Sequence, residues 1–77
     1  MSQYRVLVDG GTRTYVYGFD SACGYFIQVY NDQDEDPEVD LDSRFNGLSG
    51  IGLAEWLEGI DGVLESHLER MVFDLPF

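Results

Sequence analysis

The hydrophobic pattern of this chain changes period once, and that change limits what it can fold into. Up to Asp42 the apolar residues come in short runs of β-formers, whereas from Leu53 they recur every three or four positions. Tyr4-Arg5-Val6-Leu7-Val8, Arg13 to Phe19 and Tyr25 to Tyr30 read as three strands. Asp9-Gly10-Gly11-Thr12 and Asp20-Ser21-Ala22-Cys23-Gly24 supply the turn chemistry between them. Links this short predict an antiparallel meander, with Tyr15, Tyr17 and Phe19 on one face. Pro37 forbids a central strand nearby, but Glu38-Val39-Asp40-Leu41-Asp42 alternates and fits an edge strand. Ser43 to Gly52 is glycine-rich and reads as a loop.

Leu53, Leu57, Ile60, Leu64, Leu68 and Met71 then fall at intervals of 4, 3, 4, 4 and 3, one apolar helical stripe. Gly59, Asp61 and Gly62 interrupt it, so two short helices or one kinked helix both fit, with Asp61 as the cap of a helix starting near Val63. His67 stands one place off the stripe and reads as a boundary residue, and Leu75 and Phe77 are expected to fold back on the core. Laying the aromatic sheet face on the stripe gives an α+β fold: an antiparallel β-meander of three to four strands packed against one or two C-terminal helices. With 77 residues, 1–77 is a single domain. Such a chain buries only about 60% of its unfolded surface. Its 44% hydrophobic content, with five Tyr, five Phe and Trp56, supplies the core and argues against disorder.

Asp32, Asp34, Asp36, Glu38, Asp40 and Asp42 place a carboxylate at every even position, and Glu35 adds another. In an extended chain, residues two apart share a face at about 6.6 Å. The run predicts a one-sided row of negative charge, spaced on the order of phosphates along a nucleic-acid strand. An edge strand lined with charge also resists pairing with other chains. Glu55, Glu58, Glu65 and Glu69 fall away from the helical stripe and extend the acidic surface.

The whole chain carries fifteen acids against four bases, all arginine (Arg5, Arg13, Arg44, Arg70), for a net charge of −11. That field repels nucleic acid and anionic membranes, and it attracts basic proteins. It also opposes self-association, so a monomer is expected. The five Tyr exceed what one face of a small sheet needs, so some are expected to point outward, where they suit cation–π contact with basic side chains. A single Cys23 excludes an internal disulfide and fits a reducing compartment. No basic-and-apolar leader pattern opens the chain, and no apolar stretch approaches the ~20 residues of a membrane span. A cytoplasmic protein is the expectation.

Catalytic and metal chemistry find little purchase. Asp32-x-Asp34-x-Asp36 has the start of an EF-hand loop, but Pro37 and Ser43 stand where that loop needs Gly and Glu. His67 and Cys23 are each alone, and a nucleophile–base pair would need an orienting third group. The phosphate-binding loop, the dinucleotide fingerprint and zinc-ligand spacing are absent. The glycines of Asn46 to Gly52 precede a helix, yet only Arg44 nearby is basic, so phosphate binding is not expected there. The reading is a non-enzymatic protein with no cofactor and no metal.

Small size, one α+β domain, strong acidity and no enzymatic motif together resemble the anti-CRISPR inhibitors that phages and mobile elements direct at type I surveillance complexes. Phe45-Asn46-Gly47-Leu48-Ser49-Gly50-Ile51-Gly52-Leu53, leading into an acidic helix, is similar to the Gly-Leu-rich helix start of one such inhibitor. The resemblance implies a bacterial host cytoplasm, a basic nucleic-acid-binding complex as partner, and mimicry of DNA charge. Expected contacts are Asp32, Asp34, Glu35, Asp36, Glu38, Asp40 and Asp42, with Glu55 and Glu58 as a second patch. An antitoxin or immunity-type protein against a basic nuclease would use the same acids. A small accessory domain would instead meet its partner through the apolar edge of the sheet or helix, with binding that survives high salt.

Overall fold

Short runs of β-formers in the first half of the chain give a sheet that packs one face on the helices, while Val16 on the other face is 2% exposed. The computed structural model describes residues 2–32 and 35–77. Strands β1 (Ser2–Val8), β2 (Arg13–Asp20), β3 (Gly24–Asn31) and β4 (Val39–Asp42) form one antiparallel sheet in the order β1-β2-β3-β4. This is the predicted meander, with the acidic segment supplying its fourth, edge strand. The β1–β2 link is a 3-10 turn over Asp9–Gly11, with Gly10 at φ 70° and Gly11 at φ 94°. Side chains disfavour that left-handed region, and Gly enters it without penalty.

The register Val6↔Tyr15↔Val29↔Val39 and Tyr4↔Tyr17↔Ile27↔Leu41 puts these residues on one face of the sheet. They form the core with Tyr25 and with Leu53, Ala54, Leu57 and Met71 from the helices. Ile27, Leu53 and Leu57 are fully buried, and burial of each such side chain contributes about 1.5–3 kcal/mol. Tyr4, Tyr15, Tyr17 and Tyr25 all share this inner face, which narrows the expected outward tyrosines to one. Only Tyr30 lies on the other face, half-buried and hydrogen-bonded to Gln28 at 3.2 Å.

Ser43 to Gly52 is not a loop. It contains helix α1 (Ser43–Asn46) and the start of α2 (Gly50–Leu57). Asp42 caps α1 by accepting from the Phe45 N–H at 2.6 Å, and Ser49 caps α2 by accepting from the Gly52 N–H at 2.9 Å. Gly50 costs α2 about 1 kcal/mol in propensity, but a Cβ there would stand 2.1 Å from the Met71 carbonyl oxygen. Only glycine lets α2 approach helix α3 (Glu65–Val72) so closely.

The stripe resolves into two helices, and its phase resets between them. Leu64 has extended backbone at the N-cap of α3 and is 57% exposed, so it leaves the apolar face. Asp61 caps nothing: α3 starts at Glu65, with no side-chain cap. With the phase reset, His67 and Met71, four apart, share the buried face. Far from being a boundary residue, His67 is 9% exposed. Its Nδ1 lies 2.8 Å from the Tyr17 hydroxyl, among the rings of Tyr4 and Phe77. Burial, and then the Arg70 charge, lower its pKa. Burial, and then Tyr4, raise that of Tyr17. In the tail, Arg70 donates to the Pro76 carbonyl at 2.9 Å, and Phe77 stacks on Tyr25 as expected. Leu75, expected beside it, is 50% exposed.

Candidate partner-binding surface

Carboxylates repel one another, so a dense acidic run persists where solvent, a cap or a cation takes up each charge. The run from 32 to 42 uses all three. Among the described residues of the run, only Val39–Asp42 is paired strand; Glu35 and Asp36 sit on exposed bends, and Asp32 on a turn. The continuous six-membered row therefore does not form as one extended strand. Pro37 and the bends ahead of β4 break the alternation. Asp34 lies outside the described residues.

Three acids at the strand have distinct surroundings. Glu38 accepts from Asn31 Nδ2 at 2.8 Å and lies 3.9 Å from Arg13 Nη2, so part of its charge is met internally. An exposed pair of this kind contributes about 0–1 kcal/mol. Asp40 is exposed opposite Gln28, whose amide approaches it at 3.5 Å. Asp42 is committed to the α1 cap, and its own N–H donates to Asn46 Oδ1 at 3.1 Å. Among the described residues, the exposed carboxylates with the least internal commitment are thus Glu35 and Asp36 on the bends and Asp40 on β4.

Glu55 and Glu58 belong to a different layer. Both are exposed on the α2 side, where they line a groove with Glu65 and Glu69 of α3. The structure therefore brings Glu38 and Asp40 together at one sheet edge, and Glu55 and Glu58 together at the helices. The reading of an apolar helix edge as a partner surface named no residues, and the structure places Ile51, Leu68, Val72 and Phe73 along the groove between the two helices. Ile51 fell in a segment read as loop, and the Leu68–Val72 spacing was the available signal.

Cys23 sits half-exposed in the β2–β3 turn, where its carbonyl accepts from the Arg44 N–H at 3.1 Å. Among the described residues no three His, Cys, Asp or Glu side chains are grouped to hold a metal ion. No helix among them is long and apolar enough to cross a membrane. Comparison of the chain with protein-family models, curated proteins and solved structures finds no match.

Proposed function

We propose that this chain is a non-enzymatic inhibitor that imitates the charge of nucleic acid and blocks the DNA-binding surface of a basic complex, a type I CRISPR surveillance complex by the resemblance noted above. The observation that carries the reading is the exposed set of Asp40 on β4 and Glu35 and Asp36 on the bends ahead of it, in a chain with net charge −11. Arg and Lys side chains that hold phosphates are already oriented for a series of anions. Asp40, held on the edge strand, meets them with little further loss of chain entropy, and Glu35 and Asp36 add charge from the bends ahead of it. DNA is then excluded by occupancy, and no bond is made or broken.

The test is a mobility-shift competition between this protein and target DNA for a purified type I surveillance complex. The parent chain is expected to displace DNA. A Glu35→Gln/Asp36→Asn/Asp40→Asn variant, with an unchanged thermal midpoint, is expected to need about tenfold more protein or greater. Equal inhibition by the two proteins would reduce the acidic edge to a solvated loop.

A further inference from the structure

The helical layer carries a surface that charge mimicry does not use. Between α2 and α3 runs a groove of about 360 Å³. Its lining joins an apolar floor of Ile51, Ala54, Leu68, Val72 and Phe73 to four carboxylates interleaved with it, a rim of Glu55 and Glu58 from the α2 side and Glu65 and Glu69 from α3. Ile51 and Phe73 are 54% and 72% exposed, an apolar presentation that a chain this small has reason to cover. Among the described residues none of the four rim carboxylates makes an ion pair.

We propose that this groove docks a basic amphipathic helix of a partner protein. Each wall is an eight-residue helix, about 12 Å long. That length matches two or three apolar anchors spaced i, i+3 or i+4, and i+7 on an incoming helix. Lysines or arginines flanking those anchors would fall over both glutamate rims, where ion pairs fix orientation while the anchors supply contact area. The same rims turn away the other occupants. Nucleic acid and anionic lipid headgroups meet four carboxylates, and a second copy brings an identical acidic rim with its net charge of −11. The inference stands on the helical layer alone, whether or not the strand-edge acids bind a DNA-reading surface.

A fluorescent peptide of about 18 residues made of Leu and Lys, with leucines at helical i, i+3, i+4, i+7 spacing, is the probe, beside a scramble of identical composition. At about 0.15 M salt, the patterned peptide is expected to bind about tenfold more tightly than the scramble. Replacing the two exposed floor residues, Ile51→Ser with Phe73→Ser, is expected to weaken it by about tenfold. Asp36→Asn with Asp40→Asn should change it less than about twofold. Equal binding of the two peptides, or an unaffected floor variant, overturns the proposal. Should the floor variant fail to fold, amide shift mapping on the parent chain decides. Perturbations along α2 and α3 support the groove, and perturbations confined to β4 overturn it.

Discussion

The two acidic surfaces of this protein differ in what lies beneath the charge. At the β4 edge the carboxylates stand over polar neighbours: Asp40 faces Gln28, and Glu38 meets Asn31 and Arg13. At the helices four glutamates line one groove together with apolar Ile51, Ala54, Leu68, Val72 and Phe73. Contact made by charge alone weakens as salt screens it, because the Debye length shrinks from about 10 Å at 0.1 M to about 3 Å at 1 M. Contact with an apolar floor persists under the same conditions. One small domain thus presents two chemically distinct handles, and salt is the variable that separates them.

The comparison extends to stability, and the largest effect lies in the helical layer. Leu57, the last residue of α2, is fully buried, so Leu57→Ala is expected to cost about 2–5 kcal/mol. Leu41, only half-buried on the edge strand, should cost about 1 kcal/mol on the same truncation. Denaturant melts of the two variants measure the difference, and equal losses would mean that β4 is as much a part of the core as the helices.

A smaller effect divides the acids of β4 themselves. Asp42 caps α1, so Asp42→Ala should destabilise by about 1 kcal/mol. Asp40 has only the long Gln28 contact, so Asp40→Ala should stay within about 0.5 kcal/mol. Thermal melts showing the reverse order would reassign the structural and the presented carboxylate.

The smallest effect concerns pH and the junction between the two layers. His67 of α3 is held neutral against Tyr17 of β2, with its folded pKa below the ordinary 6.5. The unfolded chain therefore binds a proton that the native chain resists, and its contribution to stability is complete above pH 6.5 and lost as pH falls below it. Tyr25, which donates to Asp74, acts at the other end. Burial and that bond push its pKa up to about 12, so stability should fall as pH rises above 10, where the unfolded tyrosine ionises first. Melts between pH 7 and 5.5 and between pH 9 and 11 read both signs. A flat profile in the acid window would place His67 in solvent.

The meander was legible because its turns carry their own chemistry: Asp9-Gly10-Gly11 and the Asp20–Gly24 link stop each run where the register needs it. The alternation of Val39 and Leu41 likewise gave the edge strand. What escaped was decided by tertiary contact. Gly50 looks like a loop residue in one dimension, and its reason is the Met71 carbonyl beside it. The helical phase reset at Leu64 follows from the turns at Gly59 and Gly62, and it carried His67 inward. For the candidate surface, the acids themselves were plain in the sequence. Which of them cap, which pair and which face solvent depended on Asn31, Arg13 and Phe45 arriving from other elements or turns.

Charge presented at the β4 edge is the centre of the account, and its salt dependence is the most direct test. Binding of the parent chain and of the Glu35→Gln/Asp36→Asn/Asp40→Asn variant to a purified type I surveillance complex would be measured from about 50 to 200 mM salt. The account expects a steep loss of parent affinity across that range and a flatter slope for the variant, whose remaining affinity is lower at every salt. Parallel slopes, or parent binding that ignores salt, would contradict it.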